Sequence, residues 1–168
     1  MDMKLNAASL EVADLLSKYR LSEALMVIYK LFWDEFSSWL LEIVKPGYGQ
    51  PINAYVYNMT LNAFERLLTL LHPFMRFITE ELWQQLRERK SGESLMVSLL
   101  QKPGEVDETF VQQFEMAKEV ITNIRSIRMQ KNIALKEALE LQVVGQNPVE
   151  NMEPVIRKMG NLSAITVV

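Results

Sequence analysis

The sequence predicts a mainly α-helical protein, a bundle of about five helices followed by a small β-α-β segment. Two observations lead to this fold class. Residues 21–45 carry apolar side chains at steps of three and four positions on more than one face, the period of a helix covered on several sides. After residue 137 the period changes to two, which is typical of a strand. We therefore expect a helical domain over residues 1–136 and a partial α/β subdomain over residues 137–168.

The helix over residues 21–45 is predicted to lie at the centre of the bundle. One apolar row consists of Leu21, Leu25, Ile28, Phe32, Phe36, Trp39 and Ile43, and a second consists of Met26, Tyr29, Trp33, Leu40 and Val44. The second row lies roughly 100° round the helix from the first. A helix that is apolar around so much of its circumference needs other helices to cover it. Pro46 and Gly47 mark its end.

Further helices are predicted from periodicity and from cap residues. One covers residues 5–18, one runs from Pro51 to about residue 71, one covers residues 77–89, and a long last one is capped by Asp107. His72 and Pro73 end the helix that starts at Pro51, because proline lacks an amide donor and collides with the preceding turn. The pattern leaves the conformation of residues 92–102 open.

The tail is predicted to form two parallel strands joined by a helix. Leu139, Leu141 and Val143 alternate with polar residues, a helix follows over residues 149–159, and Gly160 is a good helix stop. Residues 162–168 form the second strand. A strand–helix–strand order makes the strands parallel with a right-handed crossover. Because two strands alone form a marginal sheet, we expect this segment to be truncated and the parent protein to continue.

The composition is that of an ordinary globular protein. Of the 168 residues, 49% are hydrophobic and 23% are charged, the formal net charge is -3, and there is no cysteine. The acidic balance gives no general attraction for nucleic acid, so an RNA contact needs a local basic patch. The lack of cysteine excludes disulfides and thiolate zinc sites. No signal peptide and no membrane-spanning apolar run is visible, so the expected location is the cytoplasm.

Three separated stretches resemble one protein family. FWDEFSSWLLEIVKP (residues 32–46) is similar to the aromatic helix that opens the anticodon-binding domain of valyl-tRNA synthetases. LLHPFMRFITEELWQQL (residues 70–86) resembles the Leu-His-Pro…Phe-Ile-Thr-Glu-Glu-Leu-Trp signature of that domain, with Arg76 where a proline is expected. IRSIRMQKNI (residues 124–133) resembles its repeated Ile-Arg pair. The His-Pro pair favours the valyl branch over the isoleucyl and leucyl relatives.

This resemblance implies that the chain is a recognition module within a longer enzyme. The parent would be a class I aminoacyl-tRNA synthetase, a valine–tRNA ligase that attaches valine to tRNA with ATP and magnesium. Its catalytic and editing domains would lie before residue 1, and a coiled-coil arm would follow residue 168. The fragment itself would bind tRNA for valine, hold no cofactor and be inactive alone. We expect a monomer that binds neither DNA nor a membrane.

The central helix supplies the candidate base contacts. Phe32, Phe36 and Trp39 lie on the main apolar row and are predicted to be core, whereas Trp33 fits either the core or a stacked base. The aromatic richness alone therefore does not decide for RNA binding. The candidates for contact with anticodon bases, chosen for exposure and charge, are Lys30, Trp33 and Asp34.

A basic stripe at the end of the long helix supplies the candidate phosphate contacts. Arg125, Arg128 and Lys131 are spaced by three, so we expect them to project near one another. In an acidic chain this local reversal of sign suits contact with phosphates. The stripe fits equally well a solvated helix face near a C-terminus, where cations are favourable.

No residue pattern indicates catalysis or a metal site. His72 lacks a carboxylate at the helical spacing of a ligand pair and is predicted to be structural. Glu80 and Glu81 follow a helix start, where carboxylates interact favourably with the dipole. Two alternatives to the valyl interpretation remain open: the same domain of an isoleucyl- or leucyl-tRNA synthetase, and a helical protein-interaction bundle without an RNA role.

Overall fold

A computed structural model describes all 168 residues of the chain. The fold is mainly α-helical and contains one small parallel sheet, as the sequence predicts. The chain divides into two compact units, Met1–Val106 (unit 1) and Asp107–Val168 (unit 2).

Unit 1 is a set of helices around an apolar core. It contains α1 (Asp2–Ser17), α2 (Leu21–Lys30), a π-helical segment (Leu31–Leu40), α3 (Leu41–Val44), α4 (Ala54–Leu71), α5 (Arg76–Leu86) and a 3-10 turn (Leu95–Val97). The core is built from α1, α2, the π-helical segment and α4. Its buried members are Leu5, Ala8, Val12, Leu15, Ala24, Ile28, Leu31, Phe36, Ala63, Leu67 and Leu70.

The central helix differs from the predicted regular helix over residues 21–45. Its middle, Leu31–Leu40, is π-helical, with α2 before it and α3 after it. A π-helix bonds each amide to the carbonyl five residues back, and such segments are frequent at functional sites. The hydroxyl of Ser38 reinforces this spacing by donating to the Trp33 carbonyl at 2.9 Å. Apolar steps of three and four do not distinguish the two helix types, which is why the sequence pattern missed this segment.

The start of α4 is set by an N-cap rather than by proline. Asn53 accepts a hydrogen bond from the amide of Tyr55 at 2.8 Å, and the helix begins at Ala54. Asparagine is among the strongest N-cap residues. The prediction that Pro51 is the first helical residue is therefore wrong by about one turn.

His72 fastens the turn between α4 and α5. Its Nδ1 lies 2.8 Å from Oγ1 of Thr79, and that hydroxyl donates to the carbonyl of Met75 at 2.8 Å. Because the Thr79 hydroxyl donates its proton to Met75, it can only accept from His72. The imidazole of His72 is therefore protonated at Nδ1 and donates to Oγ1 of Thr79. His72 is thus structural, as predicted. Arg76 is the first residue of α5, a position that accepts proline without loss of a helical bond.

Unit 2 joins one long helix to a β-α-β element. It contains α6 (Glu108–Gln130), β1 (Leu139–Val143), a 3-10 turn (Glu150–Met152), α7 (Glu153–Gly160) and β2 (Leu162–Val167). Asp107 caps α6 as predicted, accepting from the amide of Phe110 at 3.0 Å. The strands are parallel and pair from Leu139 with Leu162 to Val143 with Val167. The predicted strand–helix–strand order is confirmed.

The end of α7 combines two residues with different roles. Gly160 is the last helical residue, and Asn161 after it takes the left-handed conformation with φ 49°. A Cβ at position 160 would lie 3.3 Å from Cδ1 of Ile124 and 3.2 Å from Cγ of Leu162. The glycine is therefore needed for close packing on α6, and asparagine, which tolerates the left-handed region, ends the helix. The prediction that Gly160 itself lies past the helix end is wrong.

The division into compact units falls at a different point from the predicted domain boundary. We expected α6 to be the last helix of the bundle, but it packs on α7 within unit 2, where Gly160 lies against Ile124. A division into compact units describes how the chain packs and does not test where one domain ends and the next begins. The boundary between residues 136 and 137, with a truncated second domain after it, stays a prediction.

Candidate nucleic-acid interface

An aromatic pair lies on the outside of the central helix in unit 1. The rings of Tyr29 and Trp33, one turn apart, are stacked with centroids 6.5 Å apart and an interplanar angle of 6°. Tyr29 is 56% exposed and Trp33 is 58% exposed. Lys30 and Asp34 follow them in sequence and are exposed as well. We call these four residues the aromatic surface, which offers flat apolar faces beside one charge of each sign.

The other aromatic side chains of the central helix pack inward. Phe36 is only 5% exposed, and its ring stacks on that of Phe64 at 5.5 Å. Phe32 lies 6.0 Å from both of those rings and is half-buried, like Trp39. Trp33, which the pattern left open between core and surface, lies on the surface. The sequence reasoning missed Tyr29, although its spacing of four from Trp33 was a usable signal.

Arg128 is buried instead of belonging to an exposed basic row. It is 3% exposed. Its Nη1 donates to the carbonyl of Ala134 at 3.1 Å, and its Nη2 donates to the carbonyls of Gly160 and Asn161 at 3.0 Å each. The guanidinium therefore joins the end of α6 to the end of α7. The prediction that Arg128 projects beside Arg125 and Lys131 is wrong, because it lies four residues after Ile124 on the buried face of α6.

Arg125 and Lys131 are exposed. Arg125 lies in the last turns of α6, and Lys131 is the residue at which that helix ends. Cations are favourable there because the carbonyl groups at a helix C-terminus carry partial negative charge. Two members of the predicted set, Arg125 and Lys131, therefore lie on the surface, whereas the third, Arg128, is buried.

Three arginines of unit 1, Arg66, Arg87 and Arg89, are engaged in its own structure. Oε1 of Glu65 accepts from Nε of Arg87 at 3.1 Å and is also bonded to Arg89. The guanidinium of Arg89 lies 3.6 Å from the centroid of the Trp83 ring. Arg66 donates to Oδ1 of Asn6 at 2.7 Å. A cavity of about 220 Å³ is bordered by Glu65, Arg66, Trp83 and Arg89, and the pairing of these side chains fits a structural role.

Glu80 organises the segment after α5. Its Oε1 accepts from Nε2 of Gln84 at 2.8 Å, and its Oε2 accepts from Oγ of Ser94 and from the amide of Leu95 at 2.9 Å each. Partial burial alone would raise the pKa of Glu80, but these hydrogen bonds together hold the pKa below its ordinary value. Residues 92–102, which the sequence left open, include the 3-10 turn that Glu80 holds.

The structure contains neither a metal-binding cluster nor a helix suited to crossing a membrane. No three histidine, cysteine, aspartate or glutamate side chains lie close enough together to hold a metal ion. None of the helices combines the length and the apolar character that a membrane crossing requires.

Comparison with known proteins assigns the family. Residues 1–143 match the family described as the anticodon-binding domain of tRNA ligase. The chain belongs to this family.

Three valine–tRNA ligases illustrate the proteins to which this anticodon-binding domain is similar. It is 76% identical over 167 residues to the valine–tRNA ligase of Bacteroides fragilis, a match that covers 99% of the chain and 19% of that protein. It is 64% identical over 169 residues to the enzyme of the same name from Bacteroides thetaiotaomicron, again covering 99% of the chain and 19% of the relative. The identity to the Thermotoga maritima valine–tRNA ligase is 29% over 167 residues, 98% of the chain and 19% of the relative. This domain thus spans about a fifth of the relatives' length.

Proposed function

We propose that the chain is the part of a valine–tRNA ligase that recognises the anticodon stem-loop of tRNA for valine. The observation that carries the proposal is the match of residues 1–143 to anticodon-binding domains, together with near-complete coverage by relatives named valine–tRNA ligase. The whole enzyme attaches valine to tRNA with ATP and magnesium in the cytoplasm. Within it this chain binds, and the chemistry belongs to other domains.

The aromatic surface is our candidate for base contact. Unpaired anticodon bases splay out of their loop, and proteins stack them on aromatic rings and hydrogen-bond to their edges. The exposed faces of Tyr29 and Trp33 suit stacking, which contributes roughly 1–3 kcal/mol per base. The ammonium of Lys30 donates and the carboxylate of Asp34 accepts, so the pair can discriminate acceptors from donors on base edges. Tyr29 joins the predicted set of Lys30, Trp33 and Asp34 because it is stacked on Trp33.

Arg125 and Lys131 are our candidates for phosphate contact. Phosphate contacts hold a nucleic acid in register, while base contacts specify its sequence. Both side chains are exposed in a chain whose net charge is -3, so the RNA attraction has to be local. Arg128 is excluded from this role by its burial and by its three carbonyl partners.

The competing functions make different demands. An isoleucyl or leucyl enzyme would select another tRNA, and the relatives, which are valine–tRNA ligases, support the valyl assignment. A protein-interaction bundle would need no base-sized aromatic faces on its surface, and membership of an anticodon-binding family argues against it. We further propose that the chain is monomeric and binds no DNA.

Competition binding tests the proposed function. The chain, at fixed ionic strength, is titrated with a labelled tRNA for valine, which is then displaced by unlabelled tRNAs for valine, isoleucine or leucine. We expect the valine tRNA to compete best. The isolated chain should also give no ATP–pyrophosphate exchange in a preparation free of host synthetases. Equal competition by all three tRNAs, or no binding at all, would remove the proposal.

A further inference from the structure

Charge is segregated along unit 2. Acidic side chains occur in the first turns of both helices, with Asp107 and Glu108 at the start of α6 and Glu150 and Glu153 at the start of α7. Basic side chains occur where the helices end. They are Arg125, Lys131 and Lys136 at and after the end of α6, and Arg157 and Lys158 in the last turn of α7.

Hydrogen bonds bring these two ends together. The guanidinium of Arg128 bonds the carbonyl of Ala134 and, on α7, that of Gly160. The side-chain amide of Asn161 donates to the carbonyls of Leu135 at 2.9 Å and Glu137 at 3.2 Å. The segment that carries Lys136 is therefore fastened on both sides of that lysine to the residue that ends α7.

The same residue ties in the basic end of α7. The backbone amide of Asn161 donates to the carbonyl of Lys158 at 3.4 Å. A single residue is thus hydrogen-bonded both to the two sequence neighbours of Lys136 and to Lys158, although the two lysines are far apart in sequence. Lys131, Lys136, Arg157 and Lys158 are all exposed. The acidic side chains nearest to them in sequence are Glu137 and Glu140 beside Lys136, and Glu153 before Arg157.

We propose that Lys131, Lys136, Arg157 and Lys158 form one phosphate-binding surface for the RNA backbone, and that Arg128 and Asn161 are the positioning residues that assemble it. The proposal rests on the proposed tRNA-binding function. A backbone of regularly spaced phosphates is the partner that suits several exposed cations contributed by two helix ends, because each neutralised phosphate releases counterions. The cations also offset the partial negative charge of the helix C-termini, which would otherwise repel a phosphate.

A charge-removal pair tests the surface. Lys136→Gln with Lys158→Gln is compared with Lys90→Gln plus Lys102→Gln, exposed lysines of unit 1 that remove the same charge. The affinity for valine tRNA is measured over a range of salt concentrations. The first pair should reduce the slope of log affinity against log salt by roughly 1.4–1.8, which is two phosphate contacts. The control pair should leave the slope unchanged.

Asn161→Gly tests the positioning role. Glycine adopts the left-handed conformation of this residue at least as readily, so α7 can still end there, but the donor to Leu135 and Glu137 is lost. We expect several-fold weaker tRNA binding in the otherwise wild-type chain, and a smaller further weakening when it is added to the Lys136→Gln and Lys158→Gln pair, in which only Lys131 and Arg157 remain to be positioned. Such non-additivity is the signature of one coupled unit, whereas a general loss of folding would weaken both backgrounds alike.

Each outcome has one meaning. If tRNA binds and the first pair leaves the slope unchanged, the surface is not a phosphate site and this inference is overturned. Equal effects of Asn161→Gly in both backgrounds overturn the positioning role. If the unaltered chain binds no tRNA, the proposed function fails before either comparison is made. Should Asn161→Gly unfold the chain, the salt slopes of the two lysine pairs decide the inference.

Discussion

The guanidinium of Arg128 donates to three backbone carbonyls in unit 2. Replacing this side chain by an apolar one would leave all three carbonyls without their donor. A buried acceptor left without a donor costs about 1–3 kcal/mol. Arg128→Met should therefore lower the unfolding free energy by about 1–3 kcal/mol or more, measured as a shift of the urea midpoint. Lys136→Gln, at an exposed neighbouring position, is the control and should stay within about 0.5 kcal/mol. A variant at position 128 as stable as the control would mean that the guanidinium is not held there.

Phe36 makes the same point for apolar packing. It is buried against Phe32 and Phe64, whereas Trp33 on the same helix is exposed. Removal of a large buried aromatic side chain costs about 3–5 kcal/mol. We expect Phe36→Ala to be destabilised by that amount and Trp33→Ala by less than about 1 kcal/mol in denaturant unfolding. Comparable losses in the two variants would show that Trp33 is core and would remove it from the aromatic surface.

The burial of single residues was only partly predictable from the sequence. Periodicity correctly placed Ile28 and Phe36 in the core, but it also placed Leu21 and Leu25 on the apolar row, and both are exposed. Spacing defines a helix face, not how far neighbouring helices extend along it. For Arg128 the information was present, because Ala117, Ile121, Ile124 and Arg128 follow one another at steps of four, three and four on the buried face.

At the scale of elements, α5 is held to the segment after it by a carboxylate with three donors. The pKa of Glu80 is lowered, so the group stabilises the fold above its ordinary pKa, and that stabilisation is lost as the pH falls through the lowered value. Glu80→Gln should be less stable than the wild-type chain at neutral pH, and the difference should shrink in acid. Urea unfolding at several pH values measures it, with the exposed Glu81→Gln as control. A difference that grew in acid would contradict the assignment.

The start of α5 offers an opposite test. Arg76 is the first helical residue and is exposed. Proline at such a position reduces the conformational freedom of the unfolded chain without removing a helical hydrogen bond. Arg76→Pro should raise the unfolding free energy by about 0.4–1 kcal/mol, seen as a higher thermal midpoint. Arg76→Ala separates the loss of charge from the effect of the ring. A lower midpoint for the proline variant alone would show that the backbone at residue 76 does not fit proline.

Elements were more predictable than their edges. The helices and the strand–helix–strand tail followed from period and cap residues, because those signals are local. The π-helical segment did not, since its bond register leaves the apolar spacing unchanged. The start of α4 was misplaced because Pro51 was preferred to Asn53 as the start signal. The packing of α6 with α7 could not be predicted either, because it depends on a close approach at Gly160 that has no local signature.

At the scale of the whole molecule, candidate contacts for bases lie on unit 1 and candidate contacts for phosphates lie on unit 2. The two roles are separable in solution, because loss of a stacking side chain changes base preference while loss of a cation changes the salt slope. The sequence supplied the residue types for both surfaces. The joining of two helix ends by Asn161 arises from tertiary structure and could not be predicted. The spacing of Tyr29 and Trp33 by one helical turn, in contrast, was a local signal that was missed.

The central claim is that this chain reads an anticodon, and hairpin binding tests it most directly. The affinity of the chain for the isolated anticodon hairpin of valine tRNA is compared at fixed salt with that for a hairpin of identical stem and permuted anticodon bases. We predict a preference of at least about tenfold, or about 1.4 kcal/mol, for the valine hairpin, and loss of most of it in Trp33→Ala. Equal affinity of the unaltered chain for both hairpins would contradict the account.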